Sequence, residues 1–421
     1  MARRTRLVKS VLALGLALAI SLVASVTAGM RAEPISVLMP APFADATSDL
    51  VKRFNSAHPQ FHLRVTRGPL DTEAMSDMAI SGLLLGASPY DLLLMDVTWT
   101  AKYAAAGWLE PLEGWLGADA LADLAPGAEL GNAFADHLWR FPLVADMGLL
   151  YWRTDLMDAP PRTPQELVRI SQRLQQRGEV PWGYVWQGKQ YEGLSCVVLE
   201  MLEGFGGHWI ENDRPQLQTA EAKRATAWLR SLVTLGITPP SVANMGEPEV
   251  LQVFQAGDAA FMRNWPYAWA ELNQPDAPMR GRVGITTMVS EPDQPHAATQ
   301  GSWGFALLAQ SNHKAAAIEA LRALTSEDAQ RELNLRGGYT PTRLSVFNNP
   351  ELVEKNPALA ELKQALAASV LRPITPVYAQ LSDLLYREIN TVIAGDIDTA
   401  PAMEELQRNS TRLLVSTGGQ W

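Results

Sequence analysis

Cysteine is almost absent from this chain of 421 residues, since Cys196 is the only one. A chain with a single cysteine forms no internal disulfide, so its stability must come from packing. Cys196 stands among apolar residues at helical spacing in YEGLSCVVLEML. This pattern indicates a buried, unreactive thiol and argues against a catalytic cysteine.

The short motifs of nucleotide-binding and hydrolytic sites are also missing. The sequence contains no GxxxxGK[ST], GxGxxG or GxSxG, so neither a phosphate-binding loop nor a nucleophile elbow is predicted. Of the six histidines only His58 and His62 stand four apart, and Pro59 breaks a shared helical face, which argues against a zinc pair. Asp396 and Asp398 are not followed by further oxygen ligands at calcium-loop spacing. We expect no catalytic residue, no metal and no cofactor.

The first 32 residues have the pattern of a secretory signal peptide. Four basic residues among the first nine precede an uncharged stretch from Ser10 to Gly29, and small residues follow. This order predicts export and cleavage near residues 28–32. The alternative is an uncleaved membrane anchor, because the uncharged run is long enough to span a bilayer. We expect a periplasmic or other extracytoplasmic location.

The exported chain carries a strong negative charge. Without the four basic residues that precede Ser10, 31 Lys and Arg oppose 45 Asp and Glu, which gives a net charge near −14. A negative protein is repelled by phosphate backbones and by anionic lipid headgroups. We therefore expect neither nucleic acid nor an anionic membrane surface as a partner.

The length of the chain favours two domains, because one compact core rarely serves a protein of this size. Strand-type runs alternate with helical patterns at the start of the exported chain, which is typical of α/β architecture. The runs are Ile35–Met39, Phe61–Val65 and Asp91–Met95, with helical patterns in DATSDLVKRFNSAHP and Asp71–Leu85 between them. A helical middle follows, with helical patterns at Thr163–Arg177, Tyr191–Gly204, Thr219–Leu235 and Glu247–Ala256. Strand-type runs return at Arg282–Met288 and Trp303–Ala309, and the tail from Asn349 is mostly helical. This order predicts lobes built from discontinuous segments.

Aromatic residues are concentrated in FMRNWPYAWAEL, Phe261–Leu272. Alternate residues of an extended chain point the same way, so Trp265 and Tyr267 would face one side together. Flat apolar rings beside hydrogen-bonding groups suit a sugar, which has a CH-rich ring face and a rim of hydroxyls. The alternative is that these aromatics fill a core.

Seven stretches carry a resemblance to a known family. They are YDLLLMDVTWTAKYAAAGWLEPL (Tyr90–Leu112), VADMGLLYWRTDLM (Val144–Met157), GYVWQGKQYEGL (Gly183–Leu194), AGDAAFMRNWPYAWAEL (Ala256–Leu272), GSWGFALLAQSNHKAAAIEALRALTS (Gly301–Ser326), RGGYTPTR (Arg336–Arg343) and RPITPVYAQLSD (Arg372–Asp383). In this order the chain resembles the periplasmic sugar-binding proteins of ABC importers, extracellular solute-binding protein family 1, and specifically the group close to trehalose/maltose-binding proteins.

The resemblance implies an α/β, periplasmic-binding-protein-like fold. Two α/β lobes would be joined by a hinge of three crossings, near Pro142, near Ile285 and around Arg343, with the ligand in the cleft between the lobes. The N-terminal lobe would comprise residues 33–142 plus 285–343. The C-terminal lobe would comprise residues 143–284 plus 344–421.

The resemblance also implies a set of ligand-binding residues. Carboxylates would accept sugar hydroxyls through charge-assisted hydrogen bonds, an arginine would donate to adjacent hydroxyls, and aromatic rings would cover the apolar face of the sugar. The expected residues are Arg67, Asp96, Asp146, Glu192, Trp265, Tyr267, Ser302, Trp303 and Arg372.

Alternative roles remain open for three of these residues. Asp146 would also serve as a cap for the segment that follows it. Glu192 would also fit the solvent side of its helix, and Arg372 would also fit a surface ion pair.

One departure from the family concerns the ligand. The stretch Met39–Asp49 lacks the acidic residue that some disaccharide binders carry there and has two prolines instead. A smaller or less hydroxylated ligand, such as a glycosylated polyol, would tolerate this change.

The predicted function is that of an exported, non-catalytic receptor. It would bind a neutral disaccharide or glycosyl-polyol, of the trehalose, sucrose, maltose or glucosylglycerol type, and deliver it to an ABC permease in the inner membrane as a monomer. A secreted glycoside-active enzyme is the alternative, because 45 acidic residues always offer carboxylate pairs and only geometry decides. A binding protein for a polyamine or a metal is a third interpretation, which the aromatic and carboxylate set and the few histidines weaken.

Overall fold

The computed structural model describes residues 32–69, 72–86 and 88–416. Of the predicted signal peptide only its last residue, Ala32, belongs to this part of the chain. The strands are β1 (Glu33–Pro40), β2 (Phe61–Gly68), β3 (Leu92–Asp96), β4 (Ala133–Phe134), β5 (His137–Leu138), β6 (Phe141–Met147), β7 (Leu149–Arg153), β8 (Trp182–Val185), β9 (Ile210–Glu211), β10 (Arg214–Pro215), β11 (Ala259–Asn264), β12 (Val283–Thr286), β13 (Ala298–Leu307) and β14 (Ser369–Val370).

Helices connect and cover these strands. They are α1 (Ala41–Ala46), α2 (Ser48–Ala57), α3 (Thr72–Leu84), α4 (Thr100–Ala105), α5 (Ala118–Ala122), α6 (Pro164–Gln176), α7 (Glu192–Gly204), α8 (Ala220–Thr234), α9 (Glu247–Gln255), α10 (Tyr267–Leu272), α11 (Lys314–Leu324), α12 (Glu327–Gly337), α13 (Leu344–Phe347), α14 (Pro350–Lys355), α15 (Leu359–Ala367), α16 (Tyr378–Ala394) and α17 (Thr399–Ser416). Short 3₁₀ helices cover Val97–Trp99 and Pro240–Asn244.

A six-stranded sheet with its helices forms what we call the first lobe. The strand order is β14-β13-β3-β1-β2, and β6 pairs with β13. β1 runs parallel to β2 and β3, whereas β13 runs antiparallel to β3 and β6. All five residues of β3 are buried, as the continuous apolar run predicts for a central strand covered on both faces.

A four-stranded sheet with its helices forms the second lobe. Its order is β12-β7-β11-β8, with β7 antiparallel to both β11 and β12 and with β8 parallel to β11. The tail helices α16 and α17 pack against α7 and α8, so the C-terminal segment joins this lobe. The predicted mixed α/β fold of two lobes is confirmed.

The chain passes from the first sheet to the second at Gly148, the single residue between β6 and β7. Its N–H donates to the carbonyl of Thr299 at 3.1 Å, close to the start of β13, where the chain has returned to the first sheet. A Cβ added to Gly148 would lie 1.8 Å from Oε1 of Glu200. Only glycine therefore fits this passage without displacing its neighbours.

The strand bounds place the first two passages later than the sequence suggested. Pro142 lies inside β6 of the first sheet, and Ile285 lies inside β12 of the second. The chain changes sheets at Gly148 and again between Thr286 and Ala298. The third crossing does not lie around Arg343, because β14 (Ser369–Val370) still pairs with β13 of the first sheet. The chain leaves this sheet only after Val370, and the lobe bounds stay predictions.

Cys196 lies within α7 and is 1% exposed. The prediction of a buried cysteine is confirmed, and burial raises the pKa of its thiol well above the usual range. Among the residues that the structure describes, no helix combines the length and the apolar character that a membrane span requires.

Candidate functional site

Three of the predicted residues form one cluster between the lobes. Arg372 donates from Nη1 to Oε1 of Glu192 at 2.7 Å and from Nη2 to Oδ1 of Asp96 at 3.3 Å. Asp96 ends β3 of the first lobe, whereas Glu192 begins α7 of the second. The arginine therefore links carboxylates from both lobes, and the alternative of a surface pair is excluded because Arg372 is 5% exposed.

Charge keeps this arginine ionised despite its burial. Burial alone would lower the pKa of Arg372, but the nearby anions, Asp96 foremost, outweigh it and raise the pKa further above its usual range. Nη2 also donates to the carbonyl of Gln300 at 3.1 Å. The third nitrogen, Nε, is a hydrogen-bond donor that is buried and has no partner among the described residues.

Hydrogen bonds to the residues that follow it fix the side chain of Asp96. Its side chain caps the 3₁₀ helix that follows β3, and Oδ1 accepts from the backbone N–H of Thr98 at 2.9 Å and from the Thr98 hydroxyl at 2.7 Å. A carboxylate at the end of a buried strand and at the start of a helix is thus fixed before any ligand arrives.

Hydroxyl groups of α16 hold Glu192. Tyr378 donates its hydroxyl to Oε1, and Ser382 donates to Oε2 at 2.5 Å. With Arg372 as a third donor, Glu192 points into the protein. The alternative that it lies on the solvent side of its helix is wrong.

A cavity of about 570 Å³ opens beside Glu192, between the lobes. This volume falls within the range of roughly 300–1,000 Å³ that is usual for small-molecule sites. The first lobe contributes one face of α3 together with Trp99 and Lys102, and the second lobe contributes α16 with Tyr378. A ligand in this cavity would touch both lobes.

The register of the first sheet brings further predicted residues to one face. Trp303 on β13 stands opposite Asp96 on β3, and Gly301 stands opposite Asp146 on β6. Directly opposed residues and alternate residues of a strand share a face. Asp96, Asp146 and Trp303 therefore lie on the same side of the sheet.

Ser302 lies on the opposite face of this strand and is fully buried. Its hydroxyl accepts from Nη2 of Arg140 at 2.8 Å and donates to the carbonyl of Val144 at 2.9 Å. The structure therefore separates Ser302 from its neighbour Trp303, because the side-chain period of a strand is two.

Trp265 reaches this sheet face from the second lobe. A Cβ added to Gly301 would lie 2.9 Å from a carbon of the Trp265 ring, so the indole rests where a side chain would otherwise stand. The indole Nε1 donates to Oε1 of Glu247 at 3.0 Å. Trp265 is thus placed against the strand that carries Trp303.

The argument that Trp265 and Tyr267 share a side because the chain is extended is wrong. β11 ends at Asn264, Pro266 has helical angles (φ −54°, ψ −29°), and α10 begins at Tyr267. Tyr267 is half-buried, and burial raises the pKa of its phenol. The alternation rule failed because the proline starts a helix here.

Other aromatic residues complete the surroundings of Trp303. The Phe43 ring lies 5.5 Å from the Trp303 ring, and the Trp99 ring meets it edge-on at 5.6 Å. The Tyr339 ring lies 5.2 Å from the Phe43 ring and is tilted by 33° to it. Sequence reasoning missed Phe43 and Trp99, although Trp99 stands three residues after Asp96 in DVTWT.

Asp146 and Arg67, two further predicted residues, lie outside the cluster of Arg372. Asp146 is half-buried, and its Oδ1 accepts from the backbone N–H of Thr340 at 3.4 Å, so it does not cap the segment that follows. Burial raises the pKa of Asp146 to about 6. Arg67 is exposed and pairs through Nε and Nη2 with Asp45 at 3.0 and 2.9 Å.

Comparison with known proteins identifies the family of this chain. The family model described as bacterial extracellular solute-binding protein matches residues 40–331. The chain is 30% identical, over 83% of its length and 86% of the relative's, to a probable ABC transporter-binding protein of Deinococcus radiodurans. It is 27% identical to the mannitol-binding protein of Pseudomonas aeruginosa, over 88% of this chain and 90% of that one.

A solved structure shows the same fold. The structure described as maltose-bound T. maritima MalE3 superposes with a TM-score of 0.85 at 29% identity, and the match covers 91% of this chain and all of that one. The resemblance seen in the seven sequence stretches is therefore confirmed at the level of the family. With its two lobes, its cleft and these matches, the chain belongs to the bacterial extracellular solute-binding protein family.

Proposed function

We propose that this chain is the substrate-binding component of an ABC importer and that it binds a neutral disaccharide or glycosyl-polyol. The observation that carries the proposal is the cluster in which Arg372 joins Asp96 of the first lobe to Glu192 of the second beside the cavity. Relatives named for maltose, maltotriose and mannitol binding support sugars and polyols as the ligand class.

Each predicted residue has a proposed role at this site. Asp96 and Asp146 accept hydrogen bonds from sugar hydroxyls. Nε of Arg372, which has no partner among the described residues, donates to a hydroxyl oxygen. Trp265, Tyr267 and Trp303 cover the CH face of the sugar.

The remaining three residues act around that centre. Glu192 accepts from a hydroxyl at the cavity wall, and Arg67 donates from the rim. Ser302 keeps a supporting role, because its bonds to Arg140 and Val144 fix the strand beside Trp303.

Lobe closure provides the binding mechanism. A ligand that contacts both lobes only in the closed state shifts the population toward that state by its differential affinity. The ligand is released chemically unchanged.

The proposal includes export and a partner. The family to which the chain belongs is one of extracellular solute-binding proteins. This supports the predicted signal peptide and an extracytoplasmic location. The sequence has no nucleotide-binding loop, so a separate ATPase would drive the permease that receives the ligand. We propose that the chain works as a monomer.

A thermal-shift panel tests the function. Maltose, trehalose, sucrose, glucosylglycerol and mannitol are each added to the exported chain, and a tight ligand raises the melting temperature by mass action. We expect at least one of them to do so, and calorimetry should give its dissociation constant with the sugar recovered intact. No shift with any of these compounds would contradict the proposed ligand class, and released monosaccharide would favour the glycoside-active enzyme.

A further inference from the structure

A buried ion pair outside the cavity lies between Trp265 and the passages that join the lobes. Arg263 donates from Nε to Oε2 of Glu200 at 3.0 Å and from Nη2 to Oε1 at 2.5 Å. Both side chains are completely buried. A two-pronged contact of this kind fixes the plane of the guanidinium as well as its charge.

Glu200 lies beside the first two passages between the sheets. Its Oε1 accepts from the backbone N–H of Thr299 at 3.3 Å. The same oxygen is the atom that a Cβ on Gly148 would meet at 1.8 Å, and Nη2 of Arg263 would lie 2.5 Å from that Cβ. Since Gly148 also donates to the carbonyl of Thr299, the carboxylate is packed where the outgoing and returning segments meet.

The guanidinium of Arg263 also packs against the ring of Trp265. Its Cζ lies 4.0 Å from the centroid of the indole ring, which is a close cation–π contact. The backbone of Trp265 is held as well, because its carbonyl accepts from the hydroxyl of Tyr151 at 2.7 Å. The ring therefore has a fixed plane before a ligand arrives.

We propose that Glu200 and Arg263 are positioning residues that hold the Trp265 ring against the Gly301 strand and tie its placement to the passages between the lobes. This inference rests on the proposed function for the role of Trp265 and goes beyond it in naming what orients that ring. A ring fixed in advance loses less freedom on binding, which increases affinity without a new contact to the ligand.

The variants must separate positioning from simple stability. Glu200→Leu with Arg263→Met replaces a buried pair by apolar side chains of similar volume, a change that is often neutral or stabilising for the fold. Arg263→Lys keeps a charge beside Glu200 but removes the flat guanidinium under the indole. The control pair is Arg153→Met with Asp155→Leu, since these residues form another two-pronged pair in the second lobe.

The experiment measures Trp265 itself, in the protein without ligand. The 13 tryptophans are replaced by 5-fluorotryptophan, and loss of one fluorine NMR signal in Trp265→Phe assigns it. We expect the Trp265 signal to move and broaden in the double variant and in Arg263→Lys, and to stay in place in the control. Sugar affinity, measured for maltose and mannitol, should fall about tenfold in both variants.

Two outcomes would overturn the inference. One is an unmoved Trp265 signal in a folded double variant, or in Arg263→Lys if the double variant does not fold. The other is lost affinity with an unmoved signal, because positioning would then not be the cause. If the wild-type protein binds neither sugar nor polyol, the proposed function fails, whereas the fluorine comparison still decides the positioning claim.

Discussion

Two arginine–carboxylate clusters lie where the halves of this protein meet, and they differ in access to the cavity. In the first, Arg372 and Asp96 are nearly buried, but Glu192 lines the cavity and its side chain keeps 22% of its surface exposed. In the second, Glu200 and Arg263 have no exposed surface. We call Arg372, Asp96 and Glu192 the accessible cluster, because it can exchange partners with a ligand. We call Glu200 and Arg263 the sealed cluster, because it can only hold its neighbours in place.

Breaking the sealed cluster on one side should have the largest effect. Arg263→Met leaves Glu200 buried without its partner, and we expect the free energy of unfolding in urea to fall by about 3–5 kcal/mol. Arg372→Met should cost only about 1–2 kcal/mol, because Glu192 keeps the hydroxyls of Tyr378 and Ser382. Equal losses in the two variants would erase the distinction between the clusters.

Neutralising the accessible cluster should act on binding. Asp96→Asn keeps the shape of the side chain but removes the charge that strengthens its hydrogen bonds, and we expect a loss of about 1.5–3 kcal/mol in sugar binding by calorimetry. Asp123→Asn is the matched control: Asp123 also pairs with an arginine, Arg343, whereas Asp96 shares its arginine with Glu192 of the cavity lining. Comparable losses of affinity in both variants would show that the effect is not local to the site.

The aromatic surface that the sealed cluster supports should contribute next. Trp265→Ala removes the indole from the Gly301 strand, and we expect sugar binding to weaken at least tenfold, about 1.4 kcal/mol, with cooperative unfolding preserved. Trp139→Ala removes another half-buried indole and should leave affinity unchanged. Unchanged affinity in Trp265→Ala would reduce this residue to a packing role.

The smallest effect should come from the titration of Asp146. Its folded pKa of about 6 lies above the unfolded value near 3.9, so the folded protein binds more protons between these values. The free energy of unfolding therefore falls as pH rises from about 4 to about 6, by about 1 kcal/mol after allowance for its partial exposure. Sugar binding should instead strengthen with rising pH, because the carboxylate is the better acceptor.

Asp146→Asn checks this titration. The variant should remove both trends, which thermal unfolding and calorimetry at pH 4.5, 6 and 7.5 would detect. Identical pH profiles in the variant and the wild type would assign the trends to another group.

Local patterns predicted the elements of this fold well. The run DLLLM became the buried strand β3, and helical spacing located α6, α7 and α8 within two residues at each end. Capping explains part of this accuracy, because Thr163 accepts from the N–H of Glu166 and Thr219 from that of Ala222 at two of these starts.

The geometry of the site was harder to predict, because it depends on pairing across the chain. The register of β13 with β3 and β6 decides which face of the sheet Trp303 lies on, and Ser302 points to the other face. No single stretch of sequence contains this register. The sealed cluster was not predicted, although the sequence contains a signal for it. Glu200 in VVLEML and Arg263 in AAFMRN are opposite charges within apolar runs. Such charges are rarely buried without a partner.

A crystal structure of the protein with the sugar or polyol that gives the largest thermal shift tests the central claim most directly. We expect closed lobes with the ligand in the interlobe cavity, hydrogen-bonded to Asp96 and Arg372 and with one face against Trp265. A ligand bound elsewhere, or one that contacts a single lobe, would contradict the account.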